Sequence, residues 1–137
     1  MNEYSKIRYD IIGAAFKVRS NAGRGLLEKF YEAALTFEIK EKGYKVENQV
    51  LIPALYRGVE VCDAFRADII VEDKVIIEVK ALPSMLGIHS SQLKTYLRLS
   101  DKKLGFLINF GAEEFSTGNL SDIPPYEYGI YPMANGL

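Results

Sequence analysis

Hydrophobic positions recur at helical spacing in the first third of the chain and in short alternating or unbroken runs after it. Residues 4–19 set Ile7, Ile11, Ala14, Ala15 and Val18 along one face, with Lys6, Arg8, Lys17 and Arg19 elsewhere, which predicts an amphipathic helix. The stretch Asn21 to Gly25 breaks that pattern with Gly23 and Gly25. A second helix is predicted from about Leu26 to Lys42, carrying Leu27, Phe30, Tyr31, Ala34, Leu35 and Ile39 and stopping at Gly43. From Tyr44 the period becomes two. Residues 45–56 read as a strand, in which Pro53 argues for an edge position or an irregularity. Arg57-Gly58 suits a turn, residues 59–71 form a long strand broken near Cys62-Asp63, and residues 75–80 complete a three-strand meander. A third helix over roughly 85–99 carries Leu86, Leu93, Tyr96, Leu97 and Leu99, and Leu104 to Phe110 reads as a buried strand. Beyond Gly111 the pattern decays. The stretch 112–137 is expected to be an irregular, aromatic tail laid over the core, with a dimer-forming arm as the other reading.

The order α, α, β, β, β, α, β implies a small mixed sheet with helices packed on it. Three charges interrupt its central hairpin: Asp68, Glu78 and Lys80 stand among Ile69, Ile70, Val71, Val75, Ile76, Ile77 and Val79. Burying a carboxylate is costly unless it is paired or ligates a metal. Strand alternation puts Glu78 and Lys80 on one face, and Arg66, Asp68 and Ile70 on one face of the preceding strand. Asp68 comes opposite Glu78 only if Val71 pairs with Val75 across a three-residue loop 72–74, or if a bulge restores that parity. A two-residue loop would send the two carboxylates to opposite faces, and a shared site would fail.

Net charge is -1, so any nucleic-acid contact needs a local patch and not a global field. Cys62 is the single cysteine, which excludes an intrachain disulfide and fits a reducing cytoplasm. The N-terminus leads into a charged amphipathic stretch, unlike a signal sequence, and no apolar run reaches membrane-spanning length. At 137 residues the chain is expected to form one domain.

Asp68, Glu78 and Lys80 suit phosphodiester hydrolysis: paired carboxylates can hold Mg²⁺ or Mn²⁺, and Lys80 can orient a water or offset negative charge. For a lone Glu-x-Lys the bland alternative, a solvated strand face, is the better one; the apolar flanks move the odds. Glu28 and Tyr31 lie three apart on the second helix, where an exposed carboxylate near the N-terminus and a core tyrosine are the bland alternatives. His89, Gln92 and Tyr96 line one side of the third helix. A lone histidine is more often structural than catalytic, and surface glutamines are routine. Lys94, Arg98, Lys102 and Lys103 form a basic cluster that is at least as well explained by solvation as by nucleic acid. No Gly-rich phosphate loop, Cys/His metal spacing or Gly-x-Ser-x-Gly is present.

Taken together, these residues resemble the PD-(D/E)xK nuclease superfamily and, within it, the GxxExxY family. Gly25-Leu26-Leu27-Glu28-Lys29-Phe30-Tyr31 matches the name-giving motif, and Arg66-Ala67-Asp68 and Ile77-Glu78-Val79-Lys80 match the central elements. Gln92-Leu93-Lys94-Thr95-Tyr96 is similar to the Gln-x-x-x-Tyr motif of RecB-like members, and residues 107–111 to the closing strand. Ala67 stands where the superfamily pattern has Pro, and the histidine of RecB-like enzymes has no early-helix equivalent here. The resemblance implies a restriction-endonuclease-like αβββαβ α/β core over about 4–111, with a mixed four-stranded sheet flanked by helices. It implies Mg²⁺ or Mn²⁺ held by Asp68, Glu78 and Glu28, catalysis by Asp68, Glu78, Lys80 and Gln92, and support from Tyr31, Tyr96, His89 and Arg66. Nucleic acid, DNA ahead of RNA, is the implied partner.

The leading expectation is therefore a metal-dependent nuclease. The alternative is a non-cleaving module that keeps the fold to bind nucleic acid or a protein. A third reading, a structural domain with charged strands, requires Asp68 and Glu78 to be well separated or fully solvated. Small size and near-neutral charge point to help from a second copy or a partner protein.

Overall fold

The computed structural model describes residues 3–135. Helices α1 (Glu3–Ala22) and α2 (Glu28–Glu41) precede strands β1 (Val46–Tyr56), β2 (Val59–Val71) and β3 (Val75–Lys80). Helix α3 (Gly87–Ser100) then leads to β4 (Leu104–Asn109), β5 (Glu114–Thr117) and β6 (Tyr128–Ala134). Among the described residues no helix is long and apolar enough to cross a membrane.

The strands join one mixed sheet in the order β1-β2-β3-β4-β6-β5. β1, β2 and β3 form the antiparallel meander, and α3 carries the chain across to β4, which lies parallel to β3. Strand alternation splits the apolar side chains between two layers. Val75, Ile77, Val79, Phe106 and Ile108 pack with Ile7, Ile11, Tyr31, Leu35 and Ile39 of α1 and α2. Ile76 and Leu107 pack with Leu93 and Leu97 of α3 and with Met85, Tyr126 and Tyr131. The α/β architecture, a mixed sheet flanked by helices, is thus the one expected from the element order, and it is consistent with the restriction-endonuclease-like core that the resemblance implies.

Local chemistry explains the turns. Arg57 and Gly58 both adopt left-handed φ, +53° and +81°, closing the two-residue β1–β2 hairpin with the twist such ribbons favour. The expected break in β2 takes the form of two register shifts that bracket Cys62-Asp63, one of them beside Pro53 on the edge strand β1.

The expected four strands are joined by two more, so the described part of the tail, 112–135, is irregular only between and around those strands. β6 pairs antiparallel with β4, and β5 pairs parallel with β6. Gly129 and Pro132 hid β6 from a propensity reading. Pro132 is tolerated because β5 pairs with β6 only at Tyr128 and Ile130, so Pro132 lies beyond that ladder. Gly129 lies where an added Cβ would meet the Phe115 ring at 2.2 Å. Tyr126 and Tyr131 do fold back over the core, as expected; Gly136 and Leu137 lie outside the described residues.

Asn109 secures the chain just after the Glu-x-Lys strand. It is 0% exposed; its Nδ2 donates to the Leu82 carbonyl at 2.9 Å, and its Oδ1 accepts from the N–H groups of Leu82, at 2.8 Å, and Gly111, at 3.1 Å. Asn109→Leu strands three backbone groups, so a loss of about 2–3 kcal/mol is expected in urea melts. Asn109→Asp retains the acceptor but buries a charge and turns an oxygen toward the Leu82 carbonyl, so near neutral pH it should lose at least as much.

Candidate active site

The site forms where β2 and β3 part. Their ladder runs from Val71 opposite Val75 to Ile69 opposite Ile77, across the three-residue connection 72–74. Glu72 and Asp73 take left-handed φ, +53° and +55°, to make that turn. One step beyond the ladder, Asp68 and Glu78 face each other, and carboxylates replace carbonyls as acceptors. The Asp68 N–H donates to Glu78 Oε2 at 3.0 Å, and the Val79 N–H donates to Asp68 Oδ2 at 2.9 Å. The two strands are thereby pinned apart by the acids themselves. The separation required by a purely structural reading does not occur.

Glu78 is 8% exposed, and its burial, followed by the negative charge of Asp68, pushes its carboxyl up to about 8. Lys80, half-buried two residues on, works against that shift. Near neutral pH the metal-free pair therefore keeps a proton.

Glu28 enters from the opposite side, at the start of α2. Its placement explains the spacing of the Gly25, Glu28 and Tyr31 motif. Gly25 has φ +95°, a conformation that suits glycine, and lets the chain turn into the helix. The Tyr31 ring is fully buried and stacks on Phe110, centroids 4.8 Å apart. Its hydroxyl donates to the Gly23 carbonyl at 2.7 Å and accepts from the Leu26 N–H at 3.2 Å, so it holds both sides of the glycine turn. Glu28 stands on the exposed rim of a cavity of about 400 Å³, lined also by Lys29, Glu32, Gln49 and Asp68. Partial burial raises its carboxyl; Lys80 opposes this, while Asp68 and Glu32 add to it.

The remaining expected residues divide. Tyr96 stacks on Phe65, and burial, then the charges of Glu78 and Asp68, raise its hydroxyl. His89 caps α3: its Nδ1 accepts from the Leu86 N–H at 2.9 Å, and burial, then Lys80, lowers its pKa. Gln92 is exposed on α3 and Arg66 exposed on β2; among the described residues neither hydrogen-bonds to the acids. Lys102 and Lys103 of the basic cluster pair with Asp73 and Asp101, leaving Lys94 and Arg98 exposed beside them.

Sequence reasoning missed three residues at this site: Glu32, Asn48 and Gln49. Glu32 lies one turn beyond Glu28 and so on the same helix face, a signal that was available. Gln49 donates to Glu32 Oε1 at 2.7 Å and to Asp68 Oδ1 at 3.3 Å, and Asn48 donates to Glu32 Oε2 at 3.2 Å. Those contacts depend on how β1 pairs, which the residue pattern does not reveal.

The donor set fits a hard divalent cation. Mg²⁺ takes one or two carboxylates and keeps several waters, and Asp68 with Glu78 offers two carboxylates, from which a cation can displace the proton that Glu78 keeps. Among the described residues no three acidic, histidine or cysteine groups stand close enough to enclose an ion as their side chains lie.

Neither the comparison with curated proteins nor that with solved structures gave a match. The comparison with protein families did: one family model, described as the PD-(D/E)XK nuclease superfamily, matches residues 5–119. That span runs from α1 past β5 and takes in every acid just described, and on that extent the chain belongs to the PD-(D/E)XK nuclease superfamily.

Proposed function

We propose that the protein is a divalent-metal-dependent nuclease of the GxxExxY type, hydrolysing phosphodiester bonds of nucleic acid, DNA ahead of RNA. The observation that carries this reading is the cross-bonded Asp68 and Glu78 pair at the parting of β2 and β3, with Lys80 beside it. Superfamily membership supports nuclease chemistry in general, and such enzymes generally use divalent metals.

Asp68 and Glu78 would hold Mg²⁺ or Mn²⁺, with Glu28 reaching in from the rim. When bound, the ion supplies a Lewis acid for the phosphate and a water of lowered pKa. The chain's own residues do the rest. Lys80 places an ammonium beside the acids, where it can orient the attacking water and offset charge on the phosphoryl oxygens. Tyr96 of α3, stacked against Phe65, stands near enough for the charges of Glu78 and Asp68 to act on its hydroxyl. Gln92, one turn earlier on an exposed face, is available to the backbone of a bound strand.

The test is incubation with single- and double-stranded DNA and RNA in Mg²⁺ or Mn²⁺, beside Glu78→Ala and Lys80→Ala. The parent should cleave at least one substrate, and both folded variants should lose about 100-fold or more in rate. One observation favours a second reading, a non-cleaving binding module: no three ligating groups converge as the side chains lie among the described residues. Binding without cleavage in every metal and substrate condition would move the assignment there.

A further inference from the structure

The amide pair on β1 is the part of the site that neither the motifs nor the family description accounts for. In a regular strand, residues 48 and 49 point to opposite faces. Here both reach the same carboxylate on α2: Asn48 Nδ2 lies 3.2 Å from Glu32 Oε2, and Gln49 Nε2 lies 2.7 Å from Glu32 Oε1. What allows this is the backbone of Gln49, whose φ is +52°, left-handed in the middle of β1. A side chain other than glycine enters that region at a cost, and such departures persist only where the surroundings compensate them. The neighbouring pairs, Asn48 with Ile69 and Val50 with Ala67, keep one register, so the departure is local and lies across from Asp68.

The compensation is visible. Gln49 Nε2 also lies 3.3 Å from Asp68 Oδ1, the oxygen that Val79 does not use. Gln49 therefore spans from α2 to β2 at the wall of the 400 Å³ cavity. Both Glu32 oxygens are taken by amides, so Glu32 acts as an anchor. Glu28, one turn earlier on the same helix, is exposed at the rim. The Asn48 amide ties in Thr36 as well, Nδ2 to Oγ1 at 2.8 Å, which fixes this end of β1 to α2 without Gln49.

We propose that Gln49 is a positioning residue for the acidic site: it bridges Glu32 of α2, the helix that carries Glu28, to Asp68, and restrains the orientation of Asp68 Oδ1 at the cavity wall. This rests on the metal-dependent reading above and extends it to β1. Residues that hydrogen-bond to metal-ligating carboxylates orient them, and their loss typically weakens metal affinity about 10- to 100-fold.

The decisive variant is Gln49→Gly, which keeps the left-handed backbone free of strain and removes the amide. Gln49→Asn tolerates the same backbone but falls one methylene short. Mn²⁺ affinity of the full chain, measured by calorimetry or electron paramagnetic resonance well below every melting point, is the readout, with thermal melts alongside. The expected result is a melting temperature of Gln49→Gly equal to or above that of the parent, with Mn²⁺ bound about tenfold more weakly in both variants. Parent-like Mn²⁺ affinity in Gln49→Gly would overturn the proposal and leave the metal-dependent reading standing. A parent that binds no Mn²⁺ and cleaves nothing would overturn both together. A purely structural role predicts a lower melting temperature with unchanged affinity, and that outcome too refutes the positioning assignment.

Discussion

Replacing Glu78 with glutamine is expected to stabilise the metal-free protein above neutral pH while ending its response to Mn²⁺. An unfolded chain releases the Glu78 proton near 4.5, whereas burial and then Asp68 hold the folded carboxyl up to about 8. A group raised in this way contributes stability that is complete below the unfolded value and is lost as pH rises through the folded one. Metal-free parent should therefore lose stability steadily from about pH 4.5 to 8. The full effect is on the order of several kcal/mol, or roughly 10 °C in melting temperature. A glutamine keeps an acceptor for the Asp68 N–H, carries no charge to bury, and can donate to the Asp68 carboxylate. Its melting curve should lack this pH dependence. Mn²⁺ reverses the order in the parent, because the cation takes the place of the proton and its binding stabilises the native state. Its stabilising effect should grow between pH 6 and 8 and be absent in Glu78→Gln. Melts over pH 5 to 9, with and without Mn²⁺, read both outcomes. A metal-free parent that loses no more stability across that range than Glu78→Gln would show that Glu78 is not held protonated by burial, and the site as drawn would be wrong.

Tyr31 should show a two-level response. Tyr31→Ala removes a fully buried ring from between α2 and β4's end, where it stacks on Phe110, and should cost about 3–5 kcal/mol. Tyr31→Phe keeps the ring and the stack but breaks the hydroxyl's bonds to Gly23 and Leu26, at about 1–2 kcal/mol. The second variant is the informative one. Its damage is confined to the turn that delivers Glu28, so urea melts should show a small loss while Mn²⁺ affinity falls with it. Amide exchange at Leu26 gives a local readout, since that N–H loses its acceptor. Unchanged exchange and unchanged Mn²⁺ affinity in Tyr31→Phe would reduce the tyrosine to core packing.

These two residues show how the motifs relate to the fold. The glycine, glutamate and tyrosine of the second helix act together because one turn of helix returns Tyr31 beneath the glycine turn it bonds to. Asp68 and Glu78 meet, with Lys80 two residues on, because a three-residue turn keeps parity. Both are short-range facts, fixed by spacing along one or two elements.

That is why so much was readable in advance. Helical and strand periods located the elements up to β4, and parity arithmetic in the hairpin put Asp68 across from Glu78. The partners beyond the hairpin were a different matter. Gln49 meets Asp68 only because β1 pairs with β2 in one register, and it meets Glu32 only because α2 lies over that strand. β5 and β6 exist because β4 offers an open edge to pair with; their own residues, broken by Gly129 and Pro132, carry no period strong enough to announce a strand. Local geometry is written in the spacing of neighbouring residues. Contacts between distant segments arise from how the layers pack, and a linear pattern has no term for that.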